Sequence, residues 1–175
     1  MAKRKGTYSH YELMFENFLR EQQFLYIAIN EAKRPIFKGE KVKNFDFIVV
    51  SKSGKLVLMD IKGKQFPYKS KLGKNYWENW VGLDDVKFLK MWSEIFNATG
   101  IIVFPYWIKY KEDEKLFKDI FKFKGNSYGI VAIEIDEYRK NAKPRSKSGE
   151  GTFNAISVSR ELFSKLVKPI SYFLT

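Results

Sequence analysis

The chain has 175 residues, no cysteine and a single histidine, which excludes thiolate catalysis, disulfides and cysteine-type zinc sites and leaves His10 alone for any triad or His-clustered metal site. A hydrophobic share of 45% with 17% aromatics excludes disorder and suits one domain, spanning residues 1–175, with a core of its own. With 32 Lys+Arg against 20 Asp+Glu the net charge is +12, a balance that favours a polyanionic partner through phosphate neutralisation.

Met1-Ala2-Lys3-Arg4-Lys5 leads into polar residues rather than a signal-peptide core. No apolar stretch approaches the ~20 residues of a spanning helix, so a cytoplasmic protein without a membrane partner is expected. Residues 8–22 place Tyr8, Tyr11, Met14, Phe15, Phe18 and Leu19 on one stripe at helical spacing, with Ser9 or Thr7 as N-cap. At about 100° per residue Glu12 lies at the edge of that stripe and Glu16 about 40° further round, so Glu12 is better placed to reach an interior site. Residues 24–29 read as a first strand. Lys33-Arg34-Pro35 and Lys38-Gly39-Glu40 follow as a polar connection.

The runs Phe47-Ile48-Val49-Val50 and Leu56-Val57-Leu58-Met59 flank Ser51-Lys52-Ser53-Gly54, a turn signal between β-branched segments. A hairpin folded at that turn puts Asp46 and Asp60 close to opposite one another. Period-2 alternation then points Leu56, Leu58, Asp60 and Lys62 to one face. Two carboxylates that close repel unless a cation lies between them, and hard oxygen ligands favour Mg²⁺ or Mn²⁺. The Asp/Glu-x-Lys tripeptide itself carries little, because it also occurs at Glu31-Ala32-Lys33, Asp85-Val86-Lys87 and Asp113-Glu114-Lys115. Only the Asp60 copy ends a hydrophobic strand whose partner strand carries an aspartate in register.

Residues 63–79 read as a long loop in which Lys64, Lys69, Lys71 and Lys74 interleave with Phe66, Tyr68, Tyr76 and Trp77, followed by Trp80. Cations that hold phosphate beside aromatics that stack suit a nucleic-acid surface. Asp84-Asp85 supplies capping and dipole-complementary charge for a helix with Phe88, Leu89, Trp92, Ile95 and Phe96 as its core stripe. Ile101-Ile102-Val103-Phe104 follows as a strand buried on both faces, reached by a parallel crossover. Residues 117–123 and 128–133 suggest a hairpin around Gly125-Asn126. A basic exposed loop over residues 139–147, with Arg139 and Arg145, precedes Gly149-Glu150-Gly151 and is suited to a phosphate backbone. Residues 152–158 add a strand, and Ser159 caps a last helix through Lys168.

A helix with a glutamate, three strands of which the second and third carry Asp46 and Asp60-Ile61-Lys62, then a crossover helix and a buried strand, resembles the PD-(D/E)XK nuclease superfamily. That superfamily includes restriction enzymes and archaeal Holliday junction resolvases. The resemblance covers residues 8–106, leaving residues 107–175 as a C-terminal hairpin and helix extension. Tyr11-Glu12, Phe15-Glu16, Asn30-Glu31-Ala32-Lys33-Arg34, Phe45-Asp46-Phe47 and Asp60-Ile61-Lys62-Gly63 also look like an uncharacterised bacterial branch of it. Phe45 stands where the named motif has proline, and Asp60 takes the place that admits Asp or Glu.

The resemblance implies a restriction-endonuclease-like αβββαβ core, an α/β (α+β) fold with a central mixed sheet flanked by helices. It further implies an Mg²⁺- or Mn²⁺-dependent nuclease, with DNA as the substrate and a homodimer as a common assembly. Asp46 would be the bridging metal ligand, Asp60 and the Ile61 carbonyl would complete the protein ligands, and Glu12 would bind a metal directly or through water. Lys62 would orient the attacking water, take part in its deprotonation or balance charge on the scissile phosphate. Two other readings keep the same fold: a non-catalytic nucleic-acid-binding module, and an RNA-directed nuclease.

Overall fold

The computed structural model describes residues 9–145 and 154–175. The readings at Thr7 and Tyr8, at Ser146 and Lys147 of the basic segment, at Gly149-Glu150-Gly151 and at the start of the strand over 152–158 lie outside them. Ser9 caps helix α1 (His10–Glu21): its hydroxyl accepts the Glu12 N–H at 3.2 Å, and the Glu12 carboxylate accepts the Ser9 N–H at 3.3 Å. Met14, Phe15 and Leu19 of the predicted stripe are buried. Strand β1 (Leu25–Ala28) follows. The polar connection contains a small hairpin of β2 (Ile36–Phe37) and β3 (Glu40–Lys41), turned at Lys38 and Gly39 with φ of 50° and 81°.

β4 (Phe47–Val50) and β5 (Leu56–Ile61) form the expected antiparallel hairpin, with Phe47 opposite Met59 and Val50 opposite Leu56. The segment expected as a long loop is instead three short strands, β6 (Lys64–Phe66), β7 (Tyr68–Ser70) and β8 (Gly73–Asn75), the last two paired as a hairpin. Their lysines and short lengths conceal the alternation by which strands are recognised. β9 (Val81–Gly82) leads into α2 (Leu83–Ile95) and then β10 (Thr99–Ile108), which runs parallel to β5 with Ile102 beside Asp60. β6 also lies parallel to β10, further along it, with Gln65 beside Trp107. In α2, Val86, Phe88, Leu89 and Ser93 are buried, whereas Ile95 and Phe96 of the predicted stripe, at the end of the helix, are 64% and 40% exposed.

After a 3₁₀ turn over Lys111–Leu116 comes the predicted hairpin, β11 (Ile120–Phe123) with β12 (Asn126–Glu134). β12 returns antiparallel along β10. Arg139 belongs to helix α3 (Ile135–Asn141) rather than to a loop, because Ile135 and Tyr138 bury one face of that turn. β13 (Lys143–Pro144) and β14 (Ala155–Ser157) join β9 in a small separate sheet. Ser159 precedes α4 (Arg160–Leu166), but its hydroxyl makes no capping bond; β15 (Lys168–Pro169) and α5 (Ile170–Leu174) complete the chain.

The main sheet has the order β1-β4-β5-β10-β12-β11, in which β5 and β10 are parallel and the other adjacent pairs antiparallel, so it is mixed. One face packs Leu58, Ile102, Phe104 and Tyr106 against Leu89 of α2, Tyr138 of α3 and Phe163 of α4. The other packs Phe47, Met59, Ile101 and Val103 against Phe15 of α1 and Ile170 of α5. The crossover through α2 therefore brings its first turn back to the end of the sheet where β5 finishes. At that end Gly63 lies against the Tyr11 ring, and a Cβ on Gly63 would overlap it. Gly63→Ala is expected to lower stability by roughly 1–3 kcal/mol through overpacking, read as a reduced midpoint of urea unfolding; an unchanged midpoint would show that α1 shifts freely.

Candidate active site

The regular register ends at Phe47 opposite Met59, with Asp46 just before β4 and Asp60 near the exit of β5, so both aspartates lie at the same end of the hairpin. The Asp46 N–H donates to the Met59 carbonyl at 2.9 Å, and Asp46 Oδ2 accepts the Ile61 N–H at 2.6 Å. Both side chains are nearly closed to solvent, at 3% and 4% exposure. Lys62, on the same face of the strand, puts its Nζ 2.8 Å from Asp60 Oδ2 and 3.6 Å from Asp85 Oδ2 in the first turn of α2. The Lys62–Asp60 contact is an ion pair out of hydrogen-bond alignment, which leaves the buried Asp60 Oδ2 without an aligned donor among the described residues.

A third carboxylate joins the pair without any signal in the local periodicity. Single oxygens of Glu31, Asp46 and Asp60 all lie within 4.8 Å of one another. Glu31 is exposed, three residues beyond β1, and is brought there because the Ile29 N–H donates to the Asp46 carbonyl at 2.8 Å. Asp85, by sequence only a helix-start residue, has a second role. It does accept the Gly82 N–H at 3.2 Å, but it also pairs with Lys43 at 2.8 Å and with Lys62. Two Asp/Glu-x-Lys copies that lack the strand context of Asp60 thus supply acids to this locus, and continuing the β1–β4 pairing past Ile29 is the signal for the first of them.

Glu12 stands outside the close group, its carboxylate held by the Ser9 N–H, yet its charge is felt by Asp46 and it feels that of Lys62. Glu16 turns elsewhere, accepting from Arg20 at 2.7 Å and from the Tyr26 hydroxyl at 2.9 Å. Burial first, then the neighbouring Asp60, raises the Asp46 carboxyl well above the ordinary aspartate value. Asp60 is also raised, again by burial, with Lys62 opposing. For Lys62 burial acts downward, but Asp60, Asp85 and Asp46 outweigh it and hold the ammonium above the usual lysine range. The site therefore stores repulsion between buried acids that one lysine only partly offsets.

The predicted basic residues divide. Lys64 sits over the Trp80 ring, 3.5 Å from its centroid, and Arg145 reaches Glu78 at 2.8 Å. Lys69 and Lys71 are exposed on the β7–β8 hairpin, Lys74 lies over Tyr110 at 4.3 Å, and Arg139 pairs with Asp136 on its own helix at 3.8 Å. No helix among the described residues is long and apolar enough to cross a membrane. No family model and no curated protein match the sequence. The structure is similar to that of Hjc, a Holliday junction resolvase from the archaeal hyperthermophile Archaeoglobus fulgidus, with a TM-score of 0.52 over 95% of this chain and 96% of that one at 11% identity. At that identity the likeness is one of architecture: a mixed sheet between helices, the restriction-endonuclease-like fold shared with that resolvase.

Proposed function

We propose that the protein is a metal-dependent nuclease of the PD-(D/E)XK type that hydrolyses phosphodiester bonds in DNA. The observation that carries this reading is the meeting of Glu31, Asp46 and Asp60 oxygens within 4.8 Å beside Lys62, in a basic chain with a resolvase-like fold. The residues fit a divalent cation. Asp60 Oδ2 is buried without an aligned donor among the described residues, and burial, with neighbouring like charge added to it, raises both aspartates, a cost that a cation would relieve. Asp46, Asp60 and the Ile61 carbonyl would hold Mg²⁺ or Mn²⁺, with Glu31 as a further carboxylate and Glu12 reaching in directly or through water. When bound, the cation supplies charge neutralisation at the phosphate and a more acidic water.

The chain's own residues do the rest. Asp60 and Asp85 hold Lys62 as an ammonium, which suits it to balance charge on the scissile phosphate. Lys64, Lys69, Lys71, Lys74, Arg139 and Arg145 would guide the backbone by neutralising its phosphates. Lys62→Ala is expected to slow cleavage severely; persistence of the defect at raised pH would fit charge balancing, and rescue would assign Lys62 to generating the attacking hydroxide.

The function is tested by assaying branched, linear and single-stranded DNA and RNA in parallel with Mg²⁺, Mn²⁺ or EDTA. Cleavage of DNA that stops with EDTA is the expected result. Binding without metal-dependent turnover on any of them would reduce the protein to a nucleic-acid-binding module.

A further inference from the structure

Glu78 is 6% exposed, in a chain where a buried carboxylate needs a reason. Two arginines from separate C-terminal elements converge on it, Arg145 Nη1 to Oε1 at 2.8 Å and Arg160 Nη2 to Oε2 at 3.2 Å. Arg145 follows β13, and Arg160 opens α4. Their side chains remain 39% and 47% exposed, and each donates a single N–H to the carboxylate, leaving further guanidinium donors directed away from it. Lys64 joins them electrically, influenced by Glu78, Arg145, Lys62 and Asp85, while its ammonium lies on the Trp80 face.

Two arginines therefore meet one carboxylate, an excess of one positive charge. Burial pushes the Lys64 amine down to about 7, so near neutral pH it carries only part of a charge and adds little to that excess. The platform beneath is firm. The Asn79 amide donates to the Val158 carbonyl at 3.0 Å and accepts the Val158 N–H at 2.9 Å, and the Tyr106 hydroxyl donates to the Glu78 carbonyl at 2.8 Å.

We infer that Arg145 and Arg160, positioned by Glu78, form a second phosphate subsite, which holds a non-scissile phosphate of the nucleic-acid backbone while the scissile one lies at Asp46 and Asp60. This rests on the nuclease reading above. Glu78 acts as a positioning residue: it stands in for one anion, draws the arginines from two elements to one place, and engages only one N–H of each, so that guanidinium donors remain for a second.

Binding of a labelled DNA duplex is measured in EDTA, where cleavage is off, across a salt series, and cleavage is measured separately with Mg²⁺. Arg145→Gln and Arg160→Gln should each weaken binding and flatten the log–log salt dependence by about 0.9 for each phosphate that is no longer neutralised. Arg160→Lys, which keeps the charge, should retain the slope, a rescue that a purely structural arginine would not show in this readout. Glu78→Gln should lower the cleavage rate while affinity holds or rises, since positioning is lost but positive charge is not. Wild-type slopes in both glutamine variants, from a wild-type protein that binds and cuts DNA, overturn the subsite and leave the nuclease reading standing. A wild-type protein that binds DNA but never cuts it sinks the nuclease reading, and a flattened slope in the variants then still shows the phosphate contact. If Arg145→Gln unfolds, judged by circular dichroism, Arg160→Gln decides the question.

Discussion

Asp46→Ala and Asp60→Ala variants are expected to lose cleavage by roughly a thousand-fold or more, about 4 kcal/mol of barrier, while their affinity for DNA stays intact or rises. The two effects separate because a carboxylate at the site acts in opposite senses. On the nuclease reading it would hold the cation on which chemistry depends, and it would repel the phosphate that a chain of net charge +12 otherwise attracts. Asp46 is the stronger test, since its backbone is fixed by the Met59 carbonyl and its side chain by the Ile61 N–H, so a change in activity does not require a change of register. Single-turnover cleavage with Mg²⁺ and binding in EDTA, on the same preparations, give both quantities. Variants that cut at the wild-type rate would place the chemistry at another site or in a contaminant.

The pair of aspartates is legible in the sequence because a hairpin turn fixes register by arithmetic: a turn centred at residue 53 brings 46 and 60 to the same end of the antiparallel pair. Alternation then assigns Lys62 to their face. The helix–strand order of the core, apart from the short strands β2, β3 and β6 to β8, is legible from the same local periods, and the parallel β5–β10 pairing from the length of the crossover between them. Glu31 is not, because it follows β1 in an exposed segment with no pattern, and only the pairing of β1 with β4 carries it to Asp46. Asp85 is half legible: the helix-start signal is real, but its pairing with Lys62 arises from where α2 packs on the sheet. Arg160 and Glu78 are separated by 82 positions, and no periodicity links them. Local chemistry thus reveals what a strand or helix presents, and long-range packing decides which presentations meet.

Mg²⁺ is expected to raise the melting temperature of the wild-type protein and to leave that of Asp46→Asn unchanged, a result that needs no substrate. The sign follows from the buried acids. Both aspartates are raised in the folded state, so above the unfolded value of about 4 the native protein binds more protons than the unfolded chain, and its metal-free stability falls as pH rises through the folded values. Asparagine at position 46 keeps an oxygen able to accept the Ile61 N–H but carries no charge to repel Asp60, so in EDTA near neutral pH the variant should be more stable, by on the order of 1 kcal/mol. Asp60→Asn is less clean, because it strips Lys62 of its nearest partner. For the wild type, a cation at about 100 times its dissociation constant adds about 2.7 kcal/mol, or roughly 5–10 °C for a domain of this size. The increment should grow with pH, since ionised carboxylates bind the metal and protons compete with it. Equal melting temperatures with and without Mg²⁺ in the wild type would remove the metal from the site, and a wild type more stable than Asp46→Asn in EDTA would show that the buried pair is not under repulsion.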